Sequence, residues 1–210
     1  MNIAIDFDGT LITAQQRQMT LLKAVAKRYD VEIDVRLAWS LKREGASTKD
    51  LLANIGVEKA VAAQISIDWM HDIETPYWLS LDTLFADSIS ALEGLAAKDV
   101  AMTLLTARQN EYLLRNQIRQ LKLAKYFREI VCVSPFSAET GKSKVLKEGP
   151  FAGIVGDSET DLNAAKRANV KFWGVSMGQR SANFLRTRGA EVVFETLGKF
   201  EKEFCNILPR

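Results

Sequence analysis

The stretch Asn2-Ile3-Ala4-Ile5-Asp6-Phe7-Asp8-Gly9-Thr10 decides the fold. A short apolar run leads straight into an acidic turn. Runs of this length, bounded by turn residues, mark a buried strand, here Ile3–Asp6. Asp6 falls at the strand's carboxyl end. Asp8 lies two residues on, just before Gly9, a residue that favours turns. In open α/β sheets ligands bind beyond the carboxyl ends of the strands, so both aspartates stand where chemistry is done.

Further along, Val100–Thr106, Ile130–Val133, Gly153–Asp157 and Phe172–Ser176 repeat the strand pattern, and Glu191–Phe194 does so more weakly. Runs apolar on both faces suit a parallel sheet covered by helices on each side. Helical spacing fills the gaps: Ile89, Leu92, Leu95 and Ala96; Leu114, Ile118 and Leu121; Leu162, Ala165 and Ala168, with Asn169 placed to end the last. Alternating strands and helices predict a three-layer α/β fold. From about Thr13 to Leu79 the alternation stops. Met19, Leu22, Val25, Ala26 and Tyr29 follow helical spacing, as do Leu51, Leu52 and Ile55, then Val61, Ile65 and Trp69. Asp34 and Ser47 are suited to cap helices, and Gly45 and Gly56 to break them. The expected division is a core of residues 1–13 and 80–210 with an all-helical insert at 14–79.

Composition narrows the function classes. Among 210 residues, 28 Lys and Arg face 26 Asp and Glu, a net charge of +2. That balance, without a polybasic run, does not point to nucleic acid. No apolar run approaches the roughly 18 residues of a spanning helix, so no membrane partner is expected. With 47% hydrophobic and 26% charged residues the chain is an ordinary globular one. Two cysteines, Cys132 and Cys205, are too few for a disulfide scaffold, and no Cys/His cluster suggests zinc. Met1 leads directly into the first strand with no apolar leader, so the expected compartment is the cytoplasm.

The strand ends carry the chemistry. Thr106-Ala107-Arg108 follows the second strand, Gly141-Lys142-Ser143-Lys144 precedes the fourth, and Gly156-Asp157-Ser158-Glu159-Thr160-Asp161 follows the fourth. If the first and fourth strands are neighbours, Asp6, Asp8, Asp157 and Asp161 converge. Like charges a few ångströms apart cannot all stay ionised without compensation. A hard divalent cation and a lysine would supply it, and Mg2+ favours a few carboxylates together with a substrate phosphate. Asp6 is suited to attack phosphorus, and Asp8 to protonate the leaving oxygen. The Thr106 hydroxyl and nearby backbone N–H groups, including that of Ala107, are suited to hold the transferring group. Asp157 would complete the metal site. Asp161 would hold either a metal-bound water or the lysine.

With these motifs in this order, the chain resembles the haloacid dehalogenase superfamily of aspartate-nucleophile phosphatases. Ile3–Thr10 matches the first motif, Leu104–Thr106 the second, the Lys142 region the third and Gly156–Asp161 the fourth. The insert resembles the helical cap of phosphoglycolate-phosphatase-like members. The resemblance implies a Rossmann-like sheet of order 5-4-1-2-3, a flap after Asp8 and a cap that closes over the site. Lys142 is preferred as the third-motif lysine because Val145 and Leu146 then lie at helical spacing from it; Lys144 is the alternative.

Asp8 points to phosphomonoester chemistry, since dehalogenases and phosphonate-cleaving members lack a second aspartate. A phosphatase acting on a small phosphate ester is expected, with a phosphomutase or a non-catalytic binding protein of the same fold as alternatives. Within the insert, Arg43 could pair with a second anionic group or simply favour a helix end. Arg108 could contact substrate or pair with an acid. Trp39 reads as core of the insert, and His71 as a surface or hinge residue.

Overall fold

The computed structural model describes residues 1–207. It contains two compact units: Met1–Thr13 joined with the chain from Leu84 onward, and Ala14–Thr83. The return into the first unit thus comes at Leu84, later than the expected residue 80.

The first unit opens with β1 (Asn2–Ile5) and the two-residue β2 (Ile12–Thr13). The second is helical: α1 (Gln15–Lys27), α2 (Val35–Arg43), α3 (Thr48–Asn54), α4 (Lys59–Asp72) and the single turn α5 (Pro76–Leu79). Asp34 caps α2 by accepting from the N–H groups of Arg36 and Leu37. Ser47 and Asp50 form a reciprocal capping box at the start of α3. Gly45 and Gly56 adopt positive φ after α2 and α3. Leu21, Leu22, Val25, Leu51, Leu52 and Ile65 are fully buried in this unit's core, with Trp39 packed against it. Each such side chain withdrawn from water contributes about 1.5–3 kcal/mol. A buried pair, Arg17 Nε to Asp82 Oδ1 at 2.9 Å, adds a polar tie, and Arg17 Nη1 also donates to Ile73 O at 3.2 Å.

The chain then continues through β3 (Thr83–Leu84), which pairs with β2. It proceeds through α6 (Ser88–Ala97), β4 (Ala101–Ala107), α7 (Glu111–Gln120), β5 (Glu129–Val133), α8 (Ala138–Glu148), β6 (Phe151–Gly156), α9 (Glu159–Ala168), β7 (Lys171–Val175), α10 (Ala182–Thr187), β8 (Val193–Phe194) and α11 (Leu197–Ile207). The main sheet has the order β5-β4-β1-β6-β7-β8, and its paired strands are parallel. Side chains alternate across β1, as strand geometry requires. Ile3 and Ile5 enter a core with Leu92 and Leu95 of α6, Leu114 of α7 and Phe200 of α11. Ala4 enters the opposite core with Leu146 of α8 and Ala164 and Ala165 of α9. Helices therefore cover both faces.

The five-strand order 5-4-1-2-3 differs in detail from what forms. The weak segment at Glu191–Phe194 joins as a sixth, edge strand, paired with β7 only at Gly174↔Val193 and Val175↔Phe194. Its short pairing accounts for its weak signal. The helix carrying Lys142 begins at Ala138, one turn before the lysine. Gly141 lies inside it because a Cβ there would come within 3.0 Å of Val133 on β5.

Candidate active site

Because β1 lies between β4 and β6 and all three are parallel, their carboxyl ends share one edge. Asp6 follows β1 directly, and its N–H donates to Val155 O of β6 at 2.9 Å. Asp157 follows β6, and Asp161 lies in the first turn of α9. Lys142 reaches in from the middle of α8. Its Nζ donates to Asp6 Oδ1 at 2.7 Å and to Asp161 Oδ1 at 2.6 Å. Ser158, the N-cap of α9, donates its hydroxyl to Asp161 Oδ2 at 2.6 Å. Oxygens of Asp6, Asp157 and Asp161 all lie within 4.8 Å of one another.

These groups are withdrawn from water. Asp6 is 5% exposed, Asp157 2%, Asp161 0% and Lys142 3%. Burial pushes the Asp6 carboxyl up to about 7 despite the opposing pull of Lys142. Burial, then the charges of Asp6 and Asp161, push Asp157 well above the usual carboxylate range. For Lys142, burial disfavours the ammonium, but Asp161 and Asp6 outweigh it and raise its affinity for the proton. Fully ionised, three carboxylates would outnumber the one ammonium, and the raised proton affinities of Asp6 and Asp157 are the response to that imbalance. An all-oxygen set of this kind fits a hard divalent cation.

Asp8 does not join the cluster of three. Arg108 Nε donates to Asp8 Oδ2 at 2.6 Å and Nη2 to Oδ1 at 2.8 Å, a two-pronged fork that takes both oxygens. Arg108 is itself buried, donates to Gln117 Oε1 at 3.3 Å and has its guanidinium 5.8 Å from the Phe7 ring centre. Of the four carboxylates expected to converge, Asp6, Asp157 and Asp161 form the close group, and Asp8, near enough for its charge to act on Asp6, pairs with the Arg108 guanidinium. Arg108 thus pairs with an acid, one of the two roles open to it. Thr106 lies buried near the end of β4, followed by half-buried Ala107. Lys144 is turned outward, its side chain 74% exposed and 3.9 Å from Glu148. Arg43 ends α2 in the helical unit and is half-buried there. His71 is exposed and contacts Asp72.

One part of the site was not foreseen. The turn after β7, Gly178-Gln179-Arg180, reaches Asp157: the Gln179 N–H donates to Asp157 Oδ2. Arg180 grips Glu159 of α9, Nε to Oε2 at 2.6 Å and Nη2 to Oε1 at 2.7 Å. The backbone donor leaves no trace in residue type. The Ser158…Asp161 spacing, by contrast, is a legible N-cap pattern.

The sequence matches the model of the haloacid dehalogenase-like hydrolases over residues 3–175. The chain belongs to that family. No curated protein matches it. Among solved structures, a predicted phosphatase from Clostridium acetobutylicum is 20% identical over 98% of each chain, with a TM-score of 0.77. A predicted phosphoglycolate phosphatase from Haemophilus somnus is 14% identical over 96% of each chain, with a TM-score of 0.68. A protein from Thermotoga maritima, assigned by inference as a β-phosphoglucomutase, is 19% identical over 99% of each chain at 0.66. At such identities the likeness establishes the fold. Among the described residues no helix is long and apolar enough to cross a membrane.

Proposed function

We propose that this hydrolase cleaves the phosphomonoester of a small metabolite through a phospho-aspartyl intermediate on Asp6, with Mg2+ held by Asp6, Asp157 and Asp161. The observation that carries the reading is Lys142 bridging Asp6 and Asp161 inside a buried carboxylate cluster. A cluster this costly to bury is suited to a cation and an anionic substrate. The bound cation would offset the carboxylate charge and that of the incoming phosphoryl group.

The chain's own residues then have distinct tasks. Lys142 orients Asp6 through Oδ1 and keeps it from being the sole bearer of its charge. Asp6 attacks phosphorus, and the bond to the leaving oxygen breaks. Asp8 gives that oxygen a proton; it then takes one from the water that attacks phosphorus and frees Asp6. With both oxygens on Arg108, Asp8 is an acceptor, the form needed for the second step. The first step requires a protonated Asp8, with at least one prong of the fork released. Thr106 and the Ala107 N–H cradle the phosphoryl oxygens. The helical unit Ala14–Thr83 is proposed as a substrate-selecting cap, with Arg43 offered to a second anionic group.

The test is phosphate release from nitrophenyl phosphate and a panel of sugar, polyol and nucleoside phosphates, with Mg2+ and with EDTA. Mg2+-dependent release that is lost in Asp6→Asn supports the proposal. Absence of release across the panel would overturn it, and isomerised product without free phosphate would mark transfer instead.

A further inference from the structure

We infer that the turn Gly178-Gln179-Arg180 is a positioning clamp for Asp157 that sets the affinity of the carboxylate cluster for its cation. The inference rests on the proposed reading of Asp157 as a cation ligand, and adds residues outside the ligand set.

Asp157 directly follows a strand, and its side chain needs a fixed rotamer to serve a cation. Three features hold it in place. The Gln179 N–H holds Oδ2 from the β7 side. A Cβ at Gly178 would overlap both the Asp157 carboxylate and the Gly9 carbonyl oxygen. A Cβ at Gly9 would overlap the same carboxylate from the β1 side. Asp157 is therefore pressed between two backbones with no space for a methyl group on either. The third contribution is an ion pair. Arg180, 8% exposed, is tied to Glu159 at the head of α9 and has its guanidinium 5.5 Å from the Phe184 ring centre. That anchor fixes the turn relative to α9, the helix that carries Asp161.

Groups that orient a ligand without touching the metal commonly change metal affinity 10- to 100-fold when altered. Gly178 offers the cleaner test of the two glycines. Gly9 has φ +80°, so any side chain there adds backbone strain, whereas Gly178 lies outside the left-handed region and its substitution acts through space alone.

The experiment is Mg2+ binding measured by calorimetry on wild type, Gly178→Ala, Arg180→Lys and Asp157→Asn, well below each thermal midpoint. Gly94→Ala is the control. Its Cβ would crowd the Glu201 side chain far from the cluster, so it shares the overpacking without the geometry. The expected result is a roughly 10- to 100-fold weaker Mg2+ dissociation constant for Gly178→Ala and a few-fold loss for Arg180→Lys. Gly94→Ala should bind as wild type. Turnover of Gly178→Ala should recover as Mg2+ is raised, a dependence that a general loss of fold does not produce. Wild-type affinity in Gly178→Ala overturns the clamp while leaving Asp157 as a ligand. Should that variant not fold, wild-type affinity in Arg180→Lys overturns it. Wild type that binds no Mg2+, or Asp157→Asn that binds it unchanged, overturns the reading of the site and the clamp with it.

Discussion

Replacing Lys142 with Met keeps the aliphatic stem and deletes the ammonium that two buried carboxylates share, Asp6 at 2.7 Å and Asp161 at 2.6 Å. Neither partner can recover the loss from water, since they are 5% and 0% exposed. Removing one member of a buried ion pair costs about 3–5 kcal/mol, because the remaining charge is left unbalanced. Here two charges lose the same partner, and Asp157 adds a third within 4.8 Å. Part of the cost is relieved by protonating Asp6, already raised to about 7 with Lys142 present. The expected loss is therefore about 3–5 kcal/mol near pH 8 without Mg2+, and distinctly less near pH 5. Lys144→Met, whose side chain is 74% exposed and 3.9 Å from Glu148 at helical spacing, should cost no more than about 0.5 kcal/mol. Urea denaturation in EDTA at the two pH values measures both. Turnover of nitrophenyl phosphate should fall about a hundredfold or more in Lys142→Met, as for loss of a preorganised charge-stabilising donor. Equal stability losses in the two variants, or a Lys142→Met as stable and active as wild type, would refute the reasoning.

Three further outcomes follow from the same geometry. The Asp6 carboxyl is raised in the folded state from 3.8 to about 7, so its contribution to stability is fully present below about pH 4 and lost as pH rises through about 7. The metal-free protein should lose up to roughly 4 kcal/mol from this group over that window, and Mg2+ should restore stability at the high-pH end; a metal-free stability that rises steadily from pH 4 to 8 would contradict it. Arg108→Lys exchanges a two-pronged fork for a point charge and leaves the Asp8 carboxyl less firmly oriented toward the leaving oxygen; kcat for alkyl phosphates should fall about tenfold and that for nitrophenyl phosphate less, and equal losses would count against Asp8 as the acid. In the helical unit, Arg17→Ala removes the guanidinium paired with buried Asp82 and should cost about 3–5 kcal/mol in denaturant melts, against near-neutrality if the pair were solvated.

Strands with strong apolar runs were legible because burial on both faces leaves no polar alternation to confuse with a surface strand. The aspartates at their ends were legible because strand ends converge in a parallel sheet, which makes sequence-distant Asp6 and Asp157 neighbours through β1 and β6. The helix caps at Asp34 and Ser47 announced themselves in side-chain type. Three features were not readable. β2 and β3 have two residues each, too few for any period to register. The destination of Asp8 depended on Arg108, and its residue type allowed either a substrate or an acid as partner. Gln179 acts through its backbone and Gly178 through the space it leaves, neither of which a residue name discloses.

The central claim is that Asp6 takes the phosphoryl group. Acid quenching of the enzyme during turnover, borohydride reduction of any acyl phosphate, and mass spectrometry of the peptide around Ile5-Asp6-Phe7 test it directly. Reduction of a phospho-aspartyl bond converts that side chain to homoserine, so the account predicts the homoserine mass at position 6, dependent on Mg2+ and substrate and lost when substrate is exhausted. Turnover with no mark at position 6, or with the mark on Asp8, Asp157 or Asp161, would contradict it.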